Sequence, residues 1–384
     1  MLDFIRRLCD RGSLTVQSEE VPQEVQERYI HSGYRPVESG FRATLVSLWS
    51  SHNETINVWS HVLALVYFVA CFRDAYAQHV VELIPEMHQL PLLVYFVGVC
   101  GLFLASSGAH LLNSISMTLR NVCFMVDYSA ISVYGAFAAV YYFYYHHARS
   151  NDVIRENGGA FLLLVLLTSV FATWAACHTR LHHTSLCHVI RTSVYALPFI
   201  LGNLPVFLRF SEHLHDNWSS FVTSTSLRRI VSLTSDVEQG VTSHLNTTQQ
   251  INDTAQQQIC LENRFFQNYV RHVLYLSAAA AVNILKVPER WFPGRFDIVA
   301  HSHQWFHLLI FLGIREQVHL VLYDISLQYG DANQHSHLLR DAPAMAYITA
   351  MYVTLIVTLC TILVTYGVAI HSKLNVQTKE LKEK

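Results

Sequence analysis

The stretch "LPLLVYFVGVCGLFLASSGAHLL" (90–112) decides the class of this protein. It runs for 23 residues without a single Asp, Glu, Lys or Arg. About 20 consecutive apolar residues are enough for an α-helix to cross the hydrocarbon core of a bilayer. The stretch therefore predicts a transmembrane helix, and the Ser and His near its end pose the question of what polar side chains do there.

The composition agrees with a membrane protein. Of the 384 residues, 52% are hydrophobic and 14% are charged, whereas soluble domains carry about 25% charged residues. The net charge of −2 gives no basic surface for nucleic acid. We expect an all-α polytopic membrane protein, a bundle of seven helices with an eighth, C-terminal transmembrane helix. Window hydropathy predicts eight spans, near 57–76, 90–112, 123–146, 160–178, 189–209, 268–287, 299–322 and 343–370.

Two signals predict a cytoplasmic N-terminus. Most Lys and Arg residues then fall on the cytoplasmic side, as the positive-inside rule requires. The long polar segment 211–266 then lies outside, and it contains three N-glycosylation sequons, at Asn217, Asn246 and Asn252. Because this segment is rich in Gln, Asn, Ser and Thr, we expect it to be flexible.

These signals predict four segments. They are a cytoplasmic N-terminal segment (1–56), a transmembrane domain (57–371), the extracellular loop (211–266) within that domain, and a cytoplasmic tail (372–384). The sequence "AAVYYFYYHH" (138–147) closes the third span at its outer end, and its tyrosines predict an aromatic belt at the membrane interface. A role in stacking against a ligand is the alternative.

Four ionisable side chains fall near the cytoplasmic ends of three predicted spans. His110 ends the second span, Asp127 begins the third, and His303 and His307 begin the seventh. Ionisable groups inside membranes are costly and usually functional. The topology was assigned from arginines and sequons, so the convergence of these four residues at one depth is independent evidence for a site.

The spacing of these residues favours a metal. His303 and His307 are four residues apart and share one helix face, and His110 would supply a third ligand. Three ligands with an open fourth position are typical of a zinc site that keeps a water. Asp127 could hold that water or orient an imidazole, and Ser106, on the face of His110, could orient the water or polarise a carbonyl. Histidines packed and hydrogen-bonded in the core are the alternative.

Two neighbouring features are less specific. His301 lies two residues from His303 and points elsewhere, which favours a structural role. The stretch "SLWSSHNETINVWSH" (47–61) places hydrogen-bonding side chains at the entrance of the first span, including Glu54, Asn57 and His61. It predicts either a polar plug over the site or an interfacial cap that satisfies the start of the helix.

The chain resembles the progestin and adipoQ receptor (PAQR) family, and its membrane progestin receptor branch in particular. The resemblance covers about residues 27 to 322 and rests on five blocks that occur in the family's order. The blocks are "IHSGYRP" (30–36), "SLWSSHNETINVWSH" (47–61), "SSGAHLL" (106–112), "VDYSAIS" (126–132) and "FDIVAHSHQWFH" (296–307).

The resemblance implies a Zn²⁺ site formed by His110, His303 and His307, with Asp127 and Ser106 nearby. It also implies a multi-pass protein of the plasma membrane that binds a progestin or another lipid ligand and signals through heterotrimeric G proteins. The family is similar to membrane hydrolases such as alkaline ceramidases. A zinc-dependent lipid amide hydrolase, with Asp127 and Ser106 as catalytic residues, is therefore a second hypothesis, and a purely structural zinc is a third.

Overall fold

The computed structural model describes residues 15–78, 84, 86, 89–146, 156–182, 186–231, 245–329 and 345–382. Over 216–231 and 245–264 it describes the backbone alone. Within these residues the fold is all-α, and the β-structure is one isolated bridge between Val16 and Tyr34. The helices, in chain order, are α1 (Gly40–Val46), α2 (Thr55–Ala77), α3 (Leu90–Leu112), α4 (Met117–His146), α5 (Gly158–Leu181), α6 (Cys187–Ser193), α7 (Ala196–Val231), α8 (Leu245–Leu285), α9 (Ser302–Tyr329) and α10 (Met345–Lys382).

Seven helical segments of the described chain are long and apolar enough to cross a membrane. They lie in α2, α3, α4, α5, the α6–α7 pair, α9 and α10. Their outward residues are large and apolar, for example Val97 on α3 and Val364 on α10, which are 67% and 66% exposed. Water disfavours such a surface and lipid accepts it. The prediction of an all-α polytopic membrane protein is confirmed.

The sixth predicted span, 268–287, lies largely within α8, which is not among the seven apolar segments. Its described part carries polar residues that face neighbouring helices. His272 Nδ1 is 2.8 Å from the carbonyl oxygen of Gly313 on α9, and Asn283 donates to Thr192 Oγ1 at 2.8 Å. These side chains lower the hydropathy of α8 although the helix is packed in the bundle, so the total of eight spans stays a prediction.

The tyrosine run on α4 does not form an interfacial belt. Tyr141, Tyr142, Tyr144 and Tyr145 are each at most 1% exposed. The reason is the position of the helix, since α4 packs against α3, α5, α7 and α10 and has neighbours on most of its circumference. A run of aromatic residues at the end of a span predicts a lipid-facing belt only when that helix is peripheral.

Both ends of the predicted loop 211–266 are helical along their described backbone. Helix α7 continues to Val231, and α8 begins at Leu245. The flexibility of the segment stays a prediction, and its residues 232–244 lie outside the described part of the chain. The sequon residues Asn217, Asn246 and Asn252 lie on these helical stretches, and their side chains are outside the described part of the chain, so glycosylation stays a prediction.

The segment before α2 packs over the end of the bundle where α3 finishes. The guanidinium group of Arg35 donates to the carbonyl oxygens of His110 and Leu111, at 2.6 and 2.9 Å, and to Asn113 Oδ1 at 2.7 Å. The last carbonyls of a helix have no partner inside the helix and attract a cation. Burial lowers the pKa of Arg35 to about 10, so the group remains charged at neutral pH. Arg35 therefore fixes the end of α3, which carries His110.

Candidate metal centre

Three histidines from two helices meet at one end of the bundle. His110 lies in the last turn of α3, and His303 and His307 lie in the first two turns of α9. One ring nitrogen from each lies within 4.8 Å of the other two, so the three residues form a group that could hold a metal ion. The ring centroids form a nearly equilateral triangle with sides of 5.0, 4.8 and 4.7 Å. The i, i+4 spacing on α9 therefore places both imidazoles on the face that meets the end of α3.

Each of the three imidazoles has an acceptor at Nδ1. His110 Nδ1 lies 2.7 Å from Glu54 Oε2, which can only accept. His303 Nδ1 lies 3.3 Å from Asn283 Oδ1; the amide nitrogen of Asn283 already donates to Thr192, so its oxygen accepts. His307 Nδ1 lies 3.2 Å from the hydroxyl of Ser60, whose own proton goes to a backbone carbonyl.

These contacts assign the protons on the three rings. An imidazole that donates from Nδ1 and is neutral has an unprotonated Nε2. His110 Nε2 and His303 Nε2 lie 3.2 Å apart. When both rings are neutral, two lone pairs meet there, and a cation between the nitrogens, either a metal ion or a shared proton, stabilises the arrangement. Metal-ligating histidines typically donate their other N–H to a carboxylate or carbonyl in this way, and the donor set therefore matches a metal site.

Glu54 links the centre to the N-terminal segment. Its Oε2 accepts from His110 and from Asn57 Nδ2, and its Oε1 accepts from Asn113 Nδ2, each at 2.7 Å. Burial would raise the pKa of the Glu54 carboxyl, but the His110 imidazole and the hydrogen bonds from His110 and Asn57 hold it well below its usual range. Because Arg35 contacts Asn113, one chain of hydrogen bonds runs from Arg35 through Glu54 to His110.

The histidine group lies on the wall of a cavity of about 690 Å³. Pockets for small ligands are typically about 300–1,000 Å³ and mainly apolar. Asp127 and Ser106 line the same cavity; Ser106 is buried and Asp127 is half-buried. Much of the remaining wall is apolar, with contributions from Leu102, Ile131, Ala138, Phe199, Leu276 and Ile310.

His301 does not belong to the three-histidine group, and two residues outside the histidine-rich stretch contact the group. His301 is outside the three-histidine group, and its Nε2 lies 3.1 Å from the backbone oxygen of Asn53. Sequence reasoning missed Asn283 and Ser60, which hold His303 and His307. A signal for Asn283 was present, since it interrupts the apolar run "AAAAVNIL" (278–285).

These features define a class: a polytopic helical membrane protein with a buried three-histidine group at one end of an apolar cavity. A family model described as "Haemolysin-III related" matches residues 49–237 and 222–318. The match covers well over half of the chain, and the chain therefore belongs to the haemolysin-III-related family.

Curated relatives are membrane progestin receptors. Membrane progestin receptor gamma of Homo sapiens is 26% identical over 313 residues, which cover 81% of this chain and 81% of that protein. The Mus musculus protein of the same name is 29% identical over the same shares. Membrane progestin receptor delta of Mus musculus is 28% identical, over 80% of this chain and 77% of that protein. The resemblance to the PAQR family and its progestin receptor branch is confirmed, and the matches support a multi-pass membrane receptor of this family.

Proposed function

We propose that this chain is a plasma-membrane receptor for a progestin or a related lipid, with a zinc ion at His110, His303 and His307, and that it signals through heterotrimeric G proteins. The observation that carries the proposal is similarity to membrane progestin receptors along about four fifths of the chain. The apolar cavity of about 690 Å³ supports it, because a ligand of steroid size needs an apolar pocket with a few polar anchors.

The donor set favours zinc over magnesium and calcium. Zinc prefers neutral imidazole nitrogens at about 2.0–2.1 Å in tetrahedral geometry, which puts two ligand nitrogens about 3.3 Å apart. The 3.2 Å separation of His110 Nε2 and His303 Nε2 agrees with that value. Magnesium and calcium prefer oxygen ligands, and the three-histidine group offers none.

Saturable binding of labelled progesterone tests the receptor function. Membranes from cells that express the chain should bind progesterone above untransfected membranes, and cell-surface labelling should recover the protein. Progesterone should lower cyclic AMP in these cells, and uncoupling of inhibitory G proteins should abolish the response. Progesterone binding equal to that of untransfected membranes contradicts the proposal.

A zinc-dependent lipid amide hydrolase is the second candidate. The observation in its favour is that Asp127 and Ser106 line the cavity that carries the three histidines. A zinc ion with an open coordination position supplies Lewis acidity, which acidifies water and polarises a carbonyl. Asp127 would accept a proton from the attacking water, and the Ser106 hydroxyl would donate to the carbonyl oxygen of the substrate.

Ceramide hydrolysis by the purified protein tests this second function. Fatty acid release should depend on metal and should disappear in His303→Ala, whereas Glu316→Gln, a change of a buried carboxyl elsewhere on α9, should retain it. Fatty acid release that persists in His303→Ala or after chelation contradicts a zinc-dependent reaction.

A further inference from the structure

Helix α1 has an apolar face that the described part of the chain leaves exposed. Phe41, Leu45 and Trp49 are 61%, 38% and 75% exposed. Their spacing of four residues places them along one side of α1 and of the turn that follows it. Arg42, next to Phe41, is exposed as well. Water disfavours an apolar face of this kind, so the face needs a partner.

The opposite face of α1 is polar and is bonded to the end of α3. Thr44 Oγ1 lies 3.1 Å from the hydroxyl of Ser114, just past α3, and Arg35 donates to Ser47 Oγ at 3.0 Å. Thr44 and Ser47 are both buried. These contacts hold α1 in one orientation, and its apolar face is therefore directed away from the bundle.

The exposed face of α1 is continuous with the outer surface of the span in α2. The ring centroid of Trp49 lies 5.6 Å from that of Trp59, and Trp59 Nε1 donates to the carbonyl oxygen of Leu48 at 3.0 Å. Trp59 shares a helix face with Leu63 and Val66, which are exposed on the outside of this apolar span. One apolar surface therefore runs from the span across Trp59 onto α1.

The composition of this surface fits the headgroup region of a bilayer. Tryptophan is enriched there, because its ring is apolar and its N–H needs a polar partner. An arginine beside an apolar face can place its charge among lipid phosphates. A docking site for a protein does not need to continue into the lipid-facing surface of a span, whereas this continuity is expected of a helix that lies in the membrane interface.

We propose that the apolar face of α1 and Trp49 lie in the headgroup region of the membrane, and that their partner is the lipid surface at the end of the bundle that carries the histidine group. In the predicted topology this is the cytoplasmic leaflet. Because α1 is bonded to the end of α3, in whose last turn His110 lies, the lipid surface is at the level of the metal centre. The proposal is independent of the receptor and hydrolase functions.

Quenching of Trp49 fluorescence in lipid nanodiscs tests the proposal. The contribution of Trp49 is the fluorescence of wild type minus that of Trp49→Phe, a conservative change of an exposed ring. Lipids brominated near the headgroup should quench this contribution at least about twofold more than lipids brominated near the chain ends, because the ring lies in the interface. Iodide in the water should quench it less than the headgroup-proximal bromines do.

Trp174→Phe provides the matched control. Trp174 is also exposed, but it lies inside the apolar span of α5. Its contribution should be quenched by the deeper bromines at least as strongly as by the shallow ones.

A photoreactive amino acid in place of Leu45 identifies what contacts α1 in expressing cells. Illumination should attach lipid, which is detected as an increase in the mass of the purified protein. The same amino acid in place of Glu24, an exposed residue of the polar segment before α1, should attach no lipid.

Three results would overturn the proposal. The first is a Trp49 contribution that iodide quenches more strongly than either brominated lipid does. The second is attachment of residue 45 to another protein and not to lipid, which would assign the apolar face to a protein partner. The third is equal attachment of lipid at residues 45 and 24. If Trp49→Phe does not fold, the attachment at residue 45 decides alone.

Discussion

Glu54 should control the affinity of the histidine group for zinc, although it is not itself placed as a ligand. In Glu54→Gln the side chain keeps its shape but offers one oxygen and one NH₂ group where the carboxylate offered two oxygens. If the amide oxygen accepts from His110 Nδ1, the NH₂ group lies against the NH₂ group of Asn113. If the amide is reversed, its NH₂ group faces His110 Nδ1, and His110 must move its proton to Nε2, the nitrogen that would bind zinc.

The expected loss of zinc affinity follows from the hydrogen bonds that Glu54 accepts. Glu54 accepts three hydrogen bonds of 2.7 Å, from His110, Asn57 and Asn113, and either orientation of glutamine disrupts at least one. Loss of an outer partner of a ligating histidine typically reduces metal affinity tenfold to a hundredfold, which corresponds to about 1.4–2.8 kcal/mol. We expect the zinc affinity of Glu54→Gln to fall within that range.

Competition with a zinc-sensitive chelating dye on purified protein measures this affinity. The control is Glu316→Gln, because Glu316 is also buried but contacts Arg271 and Arg315, away from the histidine group. The control should bind zinc as the wild type does. A zinc affinity of Glu54→Gln within about threefold of wild type would refute the assignment of protons on which the metal site was argued.

Three further predictions concern stability and topology. His110→Ala should abolish zinc binding, and a chelator that lowers the apparent Tm of wild type in detergent should no longer lower that of the variant; a further decrease would contradict a metal held by His110. Arg35→Met should destabilise the protein by at least about 3 kcal/mol in denaturant unfolding, because it leaves several buried acceptors unpaired at the end of α3; unchanged stability would show that Arg35 is not a cap. Replacing Asn246 or Asn252 by Gln should remove a glycosidase-sensitive shift in gel mobility, and a lack of any such shift in wild type would contradict an extracellular 211–266 segment.

That the three histidines meet could be predicted from their spacing and from the order of the spans. The spacing of His303 and His307 fixes a shared helix face, and the span order puts His110 at the same depth. The residues that orient them could not be predicted in this way. Arg35 meets the end of α3 across 75 residues of chain, and Asn283 meets His303 from another helix. Such contacts depend on helix packing, which no single segment encodes.

The same limit explains the error on α4. An apolar, aromatic helix face can pack either against lipid or against other helices, and hydropathy does not distinguish the two environments. The side chains of Tyr141 and Tyr145 suit either environment, and the central position of α4 in the bundle is what buries them. Tyr142 accepts a hydrogen bond from Gln317 and lines the cavity, so the packing permits the alternative, a role in stacking against a ligand.

The effect of progesterone on ceramide hydrolysis tests the receptor and hydrolase functions together. Asp127, Ser106 and the three histidines line one cavity, which is also the proposed steroid pocket. A progestin in that cavity would occupy the space that a lipid amide needs to reach the histidine group. If the protein hydrolyses ceramide, progesterone should therefore raise the KM for ceramide and leave kcat unchanged. If progesterone instead changes kcat with KM unchanged, it binds elsewhere, and the cavity beside the histidine group is not the steroid pocket.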